Sequence, residues 1–190
     1  TMAFDFEWTN RAIYDGFYSR VDSYFAGTEL AAQGLPNGAE LALLEPFREQ
    51  LPDRVFTQPF VQRKSGGAGG HRDALLRARA LLADAGWTMH DGRLADAAGQ
   101  PFEIEFLTLS ATDKRTLLPY MDQLSRLGID SNIRFVESAQ YMSRLRHYDY
   151  DALLRSFGYG FPPGLIFRAY ISSQTANLPS SANLAGINSP

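Results

Sequence analysis

A strand–helix–strand succession between residues 102 and 136 constrains this chain more than any other feature. Phe102-Glu103-Ile104-Glu105-Phe106-Leu107 alternates apolar and acidic side chains, the period of a half-buried strand. Residues 114–127 then place Leu117, Leu118, Tyr120, Met121, Leu124 and Leu127 at helical spacing, and Gly128 stands where a helix-ending glycine belongs. A second strand over 129–136 carries Ile129, Ile133, Phe135 and Val136. Two strands joined by a crossover helix form a βαβ unit, so the strands should lie parallel with a right-handed crossover. A helix over 139–147 and a strand over 150–157 continue the pattern. The predicted class is α/β with a modest mixed β-sheet flanked by helices.

The rest of the chain is less regular. Aromatic residues crowd 6–24, where Trp8, Tyr14, Phe17 and Tyr18 suggest an amphipathic helix. Residues 38–48 read as a short helix that Pro46 weakens. Residues 63–71 read as a flexible glycine-rich loop; a phosphate-binding reading fails because the GxxxxGK[ST] spacing is missing. A helix over 72–85 follows, marked by Leu75, Leu76, Leu81 and Leu82 and ended by Gly86, with Trp87 packing back on its stripe. Asp91-Gly92 signals a hairpin turn and Gly99-Gln100-Pro101 a second turn. A helix over 165–170 precedes a polar, irregular tail.

Composition removes several classes of function. The 190 residues contain no cysteine, which excludes disulfides, thiol catalysis and thiolate metal sites. The formal net charge of −3 offers no basic surface for nucleic acid, so no nucleic-acid partner is expected. His71, His90 and His147 show no ligand spacing, and each reads as a surface or loop residue. Neither a nucleophile elbow nor a metal set is present, so no enzyme activity and no cofactor are expected. Glu103 and Glu105 read as the solvent side of a strand, not as an acid–base pair.

Several segments together resemble the family 5 extracellular solute-binding proteins, which serve dipeptide, oligopeptide and nickel ABC transporters. Leu81-Leu82-Ala83-Asp84-Ala85-Gly86-Trp87 is similar to the family's LLxEAGW helix end. Leu127-Gly128-Ile129-Asp130, Tyr148-Asp149-Tyr150-Asp151 and Asn183-Leu184-Ala185-Gly186-Ile187-Asn188-Ser189-Pro190 follow in the family's order. Phe6-Glu7-Trp8-Thr9-Asn10-Arg11 and Glu29-Leu30-Ala31-Ala32-Gln33-Gly34-Leu35-Pro36 look like the binding proteins of microcin C and oligopeptide import systems. The resemblance implies one lobe, spanning 1–190, of a type II periplasmic-binding-protein-like clamshell cut from a longer chain. It further implies a peptide or peptide-like ligand, a membrane permease as partner, a missing N-terminal lobe of the same chain, a monomer, and a periplasmic or lipid-anchored location. The alternatives are the sensing domain of a bacterial transcription regulator and an unrecognised enzyme.

Ligands of open α/β sheets gather where loops leave the carboxyl ends of strands. The loop after the 150–157 strand therefore supplies the candidate ligand-binding residues Arg155, Phe157, Gly158, Tyr159, Gly160 and Phe161. Its glycines let a peptide backbone approach closely, its aromatics give tolerant contact area, and Arg155 offers a fork for carboxylate or phosphate. Arg144 and Arg146 are the next candidates, against a solvated helix face as the plainer role. Trp8 is expected in the core. The classical peptide binders of the family place an aspartate in this loop to pair with the ligand's ammonium group. Here the matching position is about Gly160, and no acidic residue occurs from 152 to 190.

Overall fold

The computed structural model describes residues 2–64, 67–158 and 160–188, with backbone alone for 67–70. It divides into two compact units, one formed by residues up to Asp15 together with 65–189, the other by 16–64. The second unit begins where Asp15 and Gly16 both take positive φ (51° and 76°) and turn the chain out of its first helix.

The first unit opens with α1 (Phe6–Ile13), whose N-cap Asp5 accepts a hydrogen bond from the Trp8 N–H at 3.0 Å. The helix expected over 6–24 ends here for the reason just given. The smaller unit holds α2 (Gly38–Leu44), which tightens into a 3₁₀ segment (Glu45–Gln50) at Pro46, and the single turn α3 (Arg54–Thr57). Arg48 holds Glu45 through two bonds, of 2.7 and 2.8 Å, and lies over the Phe56 ring at 3.9 Å.

Back in the first unit, α4 (Gly67–Asp84) begins five residues before the expected helix start. The flexible loop assigned to 63–71 is corrected accordingly: 63 and 64 are irregular, 65 and 66 lie outside the described residues, and 67–71 are helical. Once the Leu75 stripe nucleates the helix, each added residue gains a backbone bond, which offsets the roughly 1 kcal/mol cost of a helical glycine. His71 also anchors that end, with its Nε2 2.8 Å from Gln123 Oε1 and its Nδ1 3.9 Å from Asp5 Oδ2. It is a part-buried joint, not the surface histidine the sequence suggested. At the other end Trp87 N–H reaches back to Leu82 O at 2.9 Å, with Gly86 at φ 90°.

The hairpin β1 (Thr88–His90) and β2 (Arg93–Ala95) pairs antiparallel around Asp91-Gly92, both residues at positive φ. Then β3 (Glu103–Thr108), α5 (Lys114–Ser125), β4 (Asp130–Phe135), α6 (Ser138–Arg146) and β5 (Ala152–Leu153) build a three-stranded sheet in the order β4-β3-β5. Every pairing in it is parallel, so the parallel and antiparallel pairs lie in separate sheets. Adjacent residues of β3 point to opposite faces, and both faces are covered. Phe106 packs with Leu94, Leu117, Leu124, Leu127 and Ile129, while Leu107 packs with Val136, Tyr141 and Leu145. The chain continues into α7 (Leu165–Ile171) and a 3₁₀ turn (Ser173–Thr175).

Candidate functional site

The strand expected over 150–157 pairs with β3 at two positions only, Phe106↔Ala152 and Leu107↔Leu153. The cause lies in the partner strand. β3 ends at Thr108, whose Oγ1 donates to Asp113 Oδ2 at 2.5 Å and accepts from the Ser110 N–H, turning the chain into α5. Residues beyond Leu154 therefore leave the carboxyl end of the sheet with no ladder to hold them. Arg155, Phe157, Gly158, Gly160 and Phe161 are all exposed, Phe157 and Phe161 each at about half of their surface (49% and 51%). Tyr159 lies outside the described residues.

Part of this segment walls a cavity of about 420 Å³. Arg155, Ser156 and Phe157 line it with Met142 and Leu145 of α6 and Tyr170 of α7. The Phe157 and Tyr170 rings meet edge to face at 5.1 Å, and the Tyr170 hydroxyl donates to Gly158 O at 3.3 Å. Gly160 and Phe161 are not part of this wall. The structure thus brings Arg155 and Phe157 together and leaves Gly160 and Phe161 on open surface beyond them.

Arg144 and Arg146, two residues apart on one helix, have different roles. Arg144 is mostly buried (18% exposed) and reaches Glu105 Oε1 at 2.8 Å and Asp149 Oδ2 at 2.9 Å. Glu105 also meets Arg134 at 3.1 Å, so it belongs to an ion-pair cluster and not to the solvent side of its strand. Burial pushes the Glu105 carboxyl upward, but hydrogen bonds and charge from Arg144 and Arg134 outweigh that and hold it below the usual range. A carboxyl with a depressed folded value contributes stability above its unfolded value and loses it as pH falls through the folded one. Glu105→Gln is therefore expected to cost roughly 1–2 kcal/mol at pH 7 in thermal unfolding, a part-exposed pair standing between surface and buried limits. That difference should begin to shrink below about pH 4.3, where the unfolded carboxyl takes up a proton before the native one does. A difference constant down to pH 3 would rule out the cluster's electrostatic role.

Arg146 is exposed at the end of α6 and also lines the 420 Å³ cavity. The remaining wall comes from the tail, which sequence reasoning left irregular. Tyr148 OH lies 3.0 Å from Ser181 Oγ and 3.3 Å from Asn183 O, and Tyr150 OH donates to Leu184 O at 2.7 Å. Burial raises the Tyr150 phenol; Tyr148 and Tyr141 add to the effect and Arg155 opposes it. Buried phenols need a partner, and the tail supplies it for both tyrosines.

Trp8 departs from its expected core position. It is 43% exposed and lines a second cavity of about 450 Å³ with Phe4, Tyr120 and Gln123. Among the described residues no group of three or more His, Asp or Glu could hold a metal ion, and no helix is long and apolar enough to cross a membrane.

Residues 1–178 match the sequence model of the bacterial extracellular solute-binding proteins, family 5, middle region. The chain belongs to this family. It is 38% identical over 189 residues to the probable peptide-binding protein YejA of Agrobacterium fabrum, covering 99% of this chain and 31% of that relative. It is 31% identical over 191 residues to the peptidoglycan-binding protein YepA of the same organism, again over 31% of the relative's length. The chain thus spans about a third of the length of the curated relatives it matches. In fold it is similar to the oligopeptide-binding protein AppA of Bacillus subtilis, solved with a nonapeptide (TM-score 0.60, 17% identity, 98% of this chain, 31% of that one). NikA of Brucella suis, solved with Fe(III)-EDTA, gives a TM-score of 0.58 at 19% identity over 100% of this chain and 31% of that one. Those likenesses establish the α/β architecture, with its sheets flanked by helices, as that of periplasmic-binding-protein type II proteins.

Proposed function

We propose that this chain is part of the substrate-binding component of a peptide ABC transporter, which captures a peptide or peptide-like solute in a cleft between two lobes and performs no turnover. One observation carries the reading: an exposed aromatic and glycine-rich segment leaves the carboxyl end of a parallel sheet beside a cavity. That is where α/β folds hold ligands, and its mix of backbone access and broad rings suits side chains of many kinds. The family supports it, as does a relative described as a probable peptide-binding protein. The ligand-facing residues in this reading are Arg155, Phe157, Gly158, Tyr159, Gly160 and Phe161. Closure would need a second lobe from elsewhere in a longer protein, and delivery would need a membrane permease. The protein would act as a periplasmic or lipid-anchored monomer.

Native mass spectrometry of the full-length protein, purified from its host without refolding, tests this directly. A bound mass that fragments as a peptide is expected. A bound mass of other chemistry would overturn the peptide assignment. Phe157→Ala in that protein is expected to weaken retention about ten-fold, the effect of losing one aromatic contact of about 1.4 kcal/mol. Unchanged retention would remove the segment from the site.

A further inference from the structure

The wall of the 420 Å³ cavity is cationic and polar. Arg155 enters from the segment beyond β5 and Arg146 from the end of α6. Among the described residues neither guanidinium forms an ion pair or a side-chain hydrogen bond, whereas Arg144 nearby in sequence is fully engaged. No carboxylate lines the cavity, and the chain from 152 to 190 contains two arginines and no acidic residue. Ser156 and Ser180 add hydroxyls that bond nothing else among the described residues. The serine side of the wall is fixed in place. The Ser180 N–H donates to Arg146 O at 3.0 Å, Ser180 sits at φ 68°, and Ser181 is held by Tyr148.

Two uncompensated guanidinium groups on one concave wall repel each other and favour an oxyanion between them. Their planar forks match a carboxylate or phosphate, and hydroxyl donors complete its shell. The edge-to-face rings of Phe157 and Tyr170 form the apolar part of the same wall. We propose that this cavity recognises a negatively charged oxyacid group, so that the ligand is anchored here by an anionic end next to an apolar moiety and not by its amino group. This rests on the proposed binding function and names the chemistry it selects.

The test uses the full-length protein freed of ligand and an equimolar mixture of N-acetylated pentapeptides ending in phenylalanine, half with a free carboxylate and half as carboxamides. Native mass spectrometry reads which are retained, and titration with inorganic phosphate forms a second arm. Carboxylates should be retained at least about ten-fold over carboxamides, the value of one charge-assisted fork. An Arg146→Gln, Arg155→Gln double variant should lose the preference while unfolding at the same temperature. Arg168→Gln, exposed and outside the cavity, should keep it. Equal retention of both peptide forms would overturn this inference and leave peptide binding intact. Retention of no peptide, with phosphate binding abolished in the double variant, would overturn the peptide reading and uphold the anionic cavity. Binding of neither peptide nor phosphate would overturn both.

Discussion

Gly128→Ala is expected to destabilise the protein by about 3 kcal/mol, read as a loss in urea unfolding, because two costs combine at this position. Gly128 has φ 80°, a region where an L side chain costs roughly 1–2 kcal/mol. An added Cβ would also stand 2.7 Å from Met89 Sδ and 2.8 Å from the Leu94 nitrogen. Met89 is 42% exposed and its side chain can swing away. The Leu94 nitrogen cannot, because its N–H donates to Gly128 O at 2.7 Å and Leu94 is 1% exposed in the core. Relief would pull β2 off the end of α5. Gly86→Ala is the matched control. It has φ 90° and nothing within 4 Å of an added Cβ, so its cost should stay near about 1 kcal/mol. Equal losses for the two variants would mean that the hairpin does not press on Gly128.

Asn183→Ala should have an effect of similar size, about 3 kcal/mol, in a segment that looks dispensable on paper. The side chain is fully buried (0% exposed) and makes three bonds. Its Nδ2 donates to Ser172 O at 3.1 Å and to Ile187 O at 2.9 Å, and its Oδ1 accepts from the Ile187 N–H at 2.9 Å. Truncation would strand these backbone groups without a partner, and a buried polar group left alone costs about 1–3 kcal/mol. Asn183→Asp should be no better, as it loses both donors and sets a charge against two carbonyls. Chymotrypsin should then cut the tail near Leu184 far faster than in the parent protein. Asn177→Ala, on exposed chain, should change stability by no more than about 0.5 kcal/mol. A tail equally resistant in Asn183→Ala would show that something other than this side chain holds it.

The sequence was most legible where one physical signal decided the outcome. The alternation of 102–107 and the stripe of 114–127 led to the parallel βαβ unit that is present, and Gly86, Gly128 and Asp91-Gly92 marked the ends and turn they occupy. Reading failed where a distant partner outweighed local preference. Glycines 67, 69 and 70 looked like loop and became helix, with His71 fastened to Gln123 more than fifty residues away. The aromatic periodicity of 6–24 looked continuous, yet a turn at Asp15 and Gly16 interrupts it. The candidate site followed the same rule. Arg155 and Phe157 could be named from their place after a strand, but Tyr170 and Ser180 reach that cavity only through the tail's tertiary bonds. Arg144 and Arg146 were indistinguishable in sequence, since only the fold decides that one faces Glu105 and the other the cavity.

The strand order carries a consequence for how this unit comes into being. β3 is central, yet both of its neighbours follow it in the chain. During synthesis both edges of β3 therefore stay unpaired until β4, then β5 some forty-five residues downstream, have emerged. Closing contacts across such separations is slow, so the sheet completes from its carboxyl side and late. Until then the chain carries an apolar strand open on both edges, the kind of segment that a chaperone holding nascent chains would recognise.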